Sequence, residues 1–307
     1  MMMAHPATSI PLACVIVNYN VGSLLEDCVK SWLKSAPGAP LVIVDNASTD
    51  GSLDFISSLS GTDAVSVIHN PRNVGFSVAV NQGFRSVTSD LMLLLNPDCL
   101  LTPEAIANMV AVFDGKPRIG VVGPLLLNPD GSEQAGGRRA VPTPWRSLVR
   151  AVGLSRLGKR YPRLFSDFLL HAQCIPDQPI EVEAISGACM LVRREALDDV
   201  GLLDEGYFLH CEDLDWCMRF RQKEWGILFA PDAKVVHHKG ACSRSRPIFV
   251  EWHKHKGMLR FYRKFFRHQY PGVLMWLVAV GVWLRFGAVA GVHMAKHIAR
   301  ALGLGRG

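Results

Sequence analysis

Leu91-Met92-Leu93-Leu94-Leu95-Asn96-Pro97-Asp98 is the stretch that decides the fold: five apolar residues closed by a polar turn that Pro97 fixes. A run so short and so uniformly apolar suits a strand covered on both faces. A carboxylate just past such a strand lies where open α/β sheets bind ligands. Working outward, Leu12 to Asn18, Leu41 to Val44 and Val65 to Ile68 repeat the pattern. Between these runs, helical spacing of apolar residues marks Gly22 to Ala36, Gly51 to Leu59, Phe76 to Val87 and Pro103 to Phe113. Strands alternating with helices predict a largely parallel α/β sheet.

The pattern loosens from Asn128 to Pro179, where Gly136-Gly137, several prolines and Arg138, Arg139, Arg146 and Arg150 suggest a long functional excursion. Structure resumes at Glu181 to Val192, then a helix from about Glu212 to Lys223 and a strand pair at Ile227 to Ala230 and Lys234 to Val236. Charge divides the chain unequally. Residues 1 to 238 hold 20 Lys/Arg against 26 Asp/Glu, whereas residues 239 to 307 hold 13 against Glu251 alone. A basic end can meet nucleic acid or anionic lipid, and the apolar run Gly272 to Met294 favours lipid. Nucleic acid is not expected. The eight cysteines form no CxxC pair, and Met1 to Ser9 lacks the regions of a signal peptide, so a reducing, cytoplasmic compartment is the expectation.

Three polar clusters follow strands: Asn18-Tyr19-Asn20, Asp45 through Ser52, and Asn96-Pro97-Asp98. Alone, each reads more readily as an ordinary turn or helix cap. Repeated at consecutive strand ends, they read as one binding edge, with Asp45 and Asp50 able to accept hydrogen bonds from a base or ribose. No GxGxxG follows a strand, which argues against nicotinamide or flavin. Asp98 offers the oxygen ligand that Mg²⁺ or Mn²⁺ prefers beside diphosphate oxygens, or it caps the helix near Pro103. Glu212, Asp213 and Asp215 open a helix, where carboxylates also simply suit the helix dipole. Cys211, Cys217, His237 and His238 lack the close pairing of a zinc site.

Val17 to Asn20, Val44 to Gly51, Asn73-Val74-Gly75-Phe76 with Asn81-Gln82-Gly83, Leu95 to Asp98, Ser186 to Arg194 and Phe208 to Asp215 resemble, in order, the motifs of family 2 glycosyltransferases, nearest the bacterial rhamnosyltransferase-like branch. The resemblance implies a GT-A fold with a Rossmann-like, mostly parallel central sheet. It also implies inverting transfer from a nucleotide diphosphate sugar (dTDP-, UDP- or GDP-linked) to a saccharide or polyprenyl-linked acceptor in cell-surface polysaccharide synthesis. By resemblance, Asp98 is the carboxylate ligand of Mg²⁺ or Mn²⁺, because Asn96 replaces the first acid of the Asp-x-Asp motif. His237 is the preferred second ligand, with His238 the alternative. Asp213 is the implied general base, with Glu212 and Asp215 supporting the site or placing the acceptor. Asn18, Asn20, Asp45, Asn73 and Asn96 form the expected donor site. The implied catalytic unit is 1–248, with a nucleotide-sugar half at about 10–127 and an acceptor half at 128–248. A sugar nucleotidyltransferase and a catalytically silent nucleotide-sugar sensor are the competing readings.

Residues 249–307 form the expected membrane segment. Lys254, Lys256, Arg260, Arg263, Lys264 and Arg267 interleave with Phe261, Tyr262, Phe265 and Phe266, a combination suited to anionic lipid. Arg285 interrupts the apolar run that follows, so the expectation is a peripheral or re-entrant helix on the cytoplasmic face of a bacterial inner membrane, with a helix buried against the catalytic unit as the alternative.

Overall fold

A computed structural model of the chain describes residues 11–59, 64–151, 153–165, 167–240 and 246–301. Met1 to Ser9 lies outside them. The N-terminal part runs β1 (Leu12–Asn18), α1 (Leu24–Ser35), β2 (Leu41–Asp45), β3 (Val65–His69), α2 (Phe76–Ser86) and β4 (Leu91–Leu95). The four strands pair in parallel in the order β3-β2-β1-β4. Continuous apolar runs belong here because both faces are covered. Leu25, Cys28, Val29 and Trp32 of α1 pack with Cys14 and Ile16, while Ala79, Val80 and Phe84 of α2 pack with Val15 and Val17. Gly83 lets α2 lie close, since a Cβ there would sit 2.4 Å from Val15 Cγ1.

The chain continues through β5 (Cys99–Leu101), α3 (Ala105–Ala111), β6 (Ile119–Leu127), β7 (Arg138–Arg139), α4 (Pro144–Ala151), α5 (Pro162–Phe165), β8 (Ile180–Glu181), β9 (Ala184–Ile185), β10 (Cys189–Arg193), α6 (Arg194–Val200), α7 (Glu212–Gln222) and β11 (Gly226–His237). The sheet extends from β4 in the order β10-β6-β11-β5, with β8 beside β11. Because β10 is antiparallel to both β4 and β6, and β11 is parallel to β6, the strands β1, β2, β4, β6 and β11 all point one way. Their C-terminal ends share one edge, and the start of β10 joins it.

Several local expectations change. Residues 119–127 are not among the expected strands, yet β6 lies inside the sheet and is almost wholly buried. Gly123 is required by packing: a Cβ would sit 2.5 Å from the Ile185 side chain. The expected strand pair is the single strand β11, whose register shifts between Ala230 and Lys234. The helix expected at Gly51 to Leu59 is a 3₁₀ turn, Asp54–Leu59, with no buried residue to anchor a longer helix.

At the C-terminal end, α8 (Pro247–Phe266) packs on α7 and α9 (Gly272–Ala301) packs on α8, with Trp252 ring-to-ring at 4.9 Å from Trp283. The expected lipid-facing interleaving of α8 is largely spent on packing. Phe261, Tyr262 and Phe266 are buried, and Arg260 and Lys264 both pair with Asp204. Arg285 does not interrupt α9. Gly272–Ile298 is long and apolar enough to cross a membrane, with mean hydropathy 2.0, and only 6% of that stretch is buried, which a core helix would not show.

Candidate active site

The loops that follow β1 and β2 are stitched together by side-chain hydrogen bonds. Asn18 and Asp45 lie side by side at the ends of β1 and β2, and Asn18 Nδ2 donates to Asp45 Oδ1 at 2.9 Å and to the Ser52 hydroxyl at 2.8 Å. Asp45 Oδ2 accepts from the Ser48 N–H, and Asn20 Oδ1 accepts from the Thr49 N–H at 2.7 Å. Asp50 accepts from the Gly22 and Ser52 N–H groups. Asn73 Oδ1 takes the Gly75 N–H and shapes the entry to α2. Asn20 and Ala47 hold positive φ values of 51° and 64°, a conformation non-glycine residues adopt at a cost that functional loops commonly carry.

Next along the edge, Asp98 and His237 meet. Asp98 Oδ1 lies 3.1 Å from His237 Nε2, and both residues are buried. The tautomer follows from the neighbours. Gln134 Nε2 donates to the His237 carbonyl, which can only accept, so Gln134 Oε1 is the atom 2.7 Å from His237 Nδ1. Nδ1 therefore carries a proton, and Nε2 is the ring nitrogen that faces Asp98. A metal-binding histidine is oriented in this way, its other ring nitrogen bonded to a second residue. Asp98 Oδ1, Asn96 Oδ1 and Asn18 Oδ1 are buried oxygens without a hydrogen-bond partner among the described residues. Ligand atoms of Asp98, Cys99 and His237 lie within 4.8 Å of one another. Oxygen and imidazole donors with orphaned acceptors fit a divalent cation. His238 gives its backbone N–H to the Asp98 carbonyl.

The segment Ser186-Gly187-Ala188 connects this cluster to the start of α7. Ala188 accepts from the Asn96 N–H at 2.8 Å, and the Gly187 N–H donates to Asp213 Oδ2 at 3.1 Å. Arg139 pairs with the same Asp213 oxygen. The three acids of α7 therefore differ in setting. Asp213 is partly exposed at the mouth. Glu212 is buried with Oε2 unpartnered, and burial followed by the Asp213 charge raises its pKa above the ordinary carboxylate range. Asp215 is fully buried between Arg219 at 2.7 Å and Lys264 at 2.6 Å, so it ties α7 to α8. His210 and Cys211, just before the helix, both hold positive φ.

A family model described as "Glycosyl transferase family 2" matches residues 13–201. The chain belongs to glycosyl transferase family 2. Within that family it is 30% identical over 240 residues to the N-acetylglucosaminyl-diphospho-decaprenol L-rhamnosyltransferase of Mycobacterium tuberculosis, covering 74% of this chain and 76% of that protein. It is 23% identical over 237 residues to the rhamnosyltransferase WbbL of Escherichia coli K12, covering 72% and 82%. Among solved structures, the mannosyltransferase PcManGT of Pyrobaculum calidifontis, in complex with GDP-Man and Mn²⁺, superposes with a TM-score of 0.58 at 16% identity, over 97% of this chain and 82% of that one. GalNAc-T7, with UDP, GalNAc and Mn²⁺, gives 0.55 at 22% identity, over 74% of this chain and 43% of that chain. These likenesses establish the GT-A fold.

The structure adds site residues that the sequence does not mark. Gln134 orients His237, and Arg139 holds Asp213 from 74 positions away. Gln134 carries no sequence signal. Arg139 sits in the arginine-rich excursion, but nothing in its neighbours names Asp213 as its partner.

Proposed function

We propose that this family 2 glycosyltransferase moves an L-rhamnosyl residue from a dTDP-linked donor to an N-acetylglucosaminyl-diphosphopolyprenol acceptor, with inversion, at the cytoplasmic face of a bacterial membrane. The relation to the mycobacterial rhamnosyltransferase supports the substrate class. The observation that carries the chemistry is the approach of Asp98 Oδ1 to Nε2 of His237. These two residues would hold Mg²⁺ or Mn²⁺. Bound there, the metal supplies charge neutralisation to the departing diphosphate. Asn18, Asn20, Asp45, Asn73 and Asn96 bind and orient the donor through the strand-end loops.

Asp213 takes the proton from the acceptor hydroxyl. It is the member of its acidic trio suited to that step, because burial raises the pKa of Glu212 and Asp215 is locked between two cations. Arg139 and the Gly187 N–H fix its orientation. Asp215 acts at a distance by anchoring the helix. The exposed apolar surface of α9 supports attachment to the membrane in which such an acceptor resides. The test offers the purified chain dTDP-, UDP- and GDP-sugars with a diphosphopolyprenol-linked acceptor, and reads product by mass spectrometry. A deoxyhexose added from the dTDP donor is expected. Transfer from a UDP- or GDP-sugar alone would replace the donor assignment, and no transfer to any lipid-linked acceptor would overturn the reading.

A further inference from the structure

Within residues 144–165 the described chain forms three consecutive short helices, each carrying or flanked by an exposed apolar pair three residues apart: Trp145 with Leu148 in α4, Leu154 with Leu157 in a 3₁₀ turn, and Tyr161, just before α5, with Leu164. All six are between 38% and 56% exposed. Residues at i and i+3 share a face in such turns, so the pairing is regular rather than scattered. A contiguous apolar surface rimmed by charge marks an interaction site. Six cations, Arg146, Arg150, Arg156, Lys159, Arg160 and Arg163, lie in the same stretch, with no acid among them. Arg156, Arg160 and Arg163 have no acidic partner among the described residues.

We propose that residues 144–165 are a second membrane-docking element, which seats on an anionic lipid surface together with α9. This rests on the membrane reading above and extends it to the acceptor side of the enzyme. Continuity supports it: α4 packs against α9, and the Tyr262 hydroxyl donates to Ser147 Oγ at 2.7 Å. A cavity of about 560 Å³, lined by Trp145, Arg146, Arg163, Phe266 and Tyr270, lies between the segment and the α8–α9 turn. Arg146 and Arg150 already pair with Glu183 and Asp167; apolar side chains would enter the acyl boundary while Arg156, Arg160 and Arg163 meet phosphate headgroups. A second copy of the chain is a poor occupant, since a two-fold contact would set cations against cations. The consequence is geometric: Met218 and Arg221 of α7 line the same cavity, so this docking orients the helix whose first turn carries Asp213 relative to the bilayer.

Hydrogen exchange of the full chain, alone and with vesicles of phosphatidylcholine with or without about one-third phosphatidylglycerol, tests this. Protection is expected in both 144–165 and α9 on anionic vesicles, with the former weakened on neutral ones. Protection of α9 alone overturns this proposal and leaves the membrane reading standing; protection of neither overturns both. Protection of 144–165 that appears without vesicles and grows with protein concentration assigns the face to a second copy. In parallel, full chain carrying Leu148→Ser, Leu154→Ser, Leu157→Ser and Leu164→Ser should bind anionic vesicles about tenfold more weakly with thermal stability retained. Unchanged binding also overturns the proposal.

Discussion

The two ends of the candidate site are held in different ways. At the donor end, Asn18, Asp45, Ser48 and Ser52 are joined by hydrogen bonds between loops that leave adjacent parallel strands. At the acceptor end, ion pairs do the work: Arg139 to Asp213 and Lys264 to Asp215 from distant parts of the chain, and Arg219 to Asp215 within α7. A strand-end frame is built by the sheet itself, so its chemistry repeats at each strand and is nearly preorganised. A helix start braced by ion pairs can be re-oriented by whatever competes for those charges. The first arrangement suits a donor bound in one geometry, and the second a proton acceptor that must exchange partners during turnover.

The largest expected effect breaks the donor end. Asp98→Ala should cut transfer by at least about 10²- to 10³-fold while the protein stays folded, and Mn²⁺ binding followed by electron paramagnetic resonance should be lost with it. Normal Mn²⁺ binding in that variant would remove Asp98 from the metal site. At the acceptor end, Asp213→Asn should lower turnover by about 10²- to 10⁴-fold. Steady-state kinetics of Glu212→Gln and Asp215→Asn sharpen the comparison, since a crippled Glu212→Gln beside a near-normal Asp213→Asn would move the base to Glu212.

Smaller effects test the frames themselves. Gly83→Ala puts a methyl group against Val15 and should destabilise the fold by about 1–3 kcal/mol in a denaturant titration. An unchanged midpoint would show that α2 yields more easily than the packing implies. Glu212 gives a smaller and pH-dependent effect. Its folded pKa is raised from 4.5 to about 8, so the stability contributed by its neutral form is complete below about pH 4.5 and is lost as pH rises through 8. Glu212→Gln should therefore flatten the melting temperature against pH over that window, and parallel curves for the two proteins would contradict the assignment.

Much of the donor end is legible in the sequence, because Asn18, Asp45 and Asp98 each follow an apolar run and the runs repeat. Where glycine or proline serves packing, legibility fails: Gly120, Gly123 and Pro124 conceal β6, a strand inside the sheet. The acceptor end shows its acids but not its partners. Arg139, Gln134 and Lys264 gain their roles only when β7, the loop after β6 and α8 are brought together by the fold. In α8 the aromatic and basic pattern reads as lipid-facing, but Phe261, Tyr262 and Phe266 turn inward and the exposed apolar surface passes to α9 and to residues 144–165.

Titration calorimetry of the donor nucleotide in Mn²⁺, against the native chain, Asp98→Ala and Asp213→Asn, tests most directly whether the two ends carry separate duties. The account predicts that Asp98→Ala loses metal-dependent donor affinity, whereas Asp213→Asn keeps it within a few-fold while transfer collapses. Equal loss of donor affinity in both variants would contradict it.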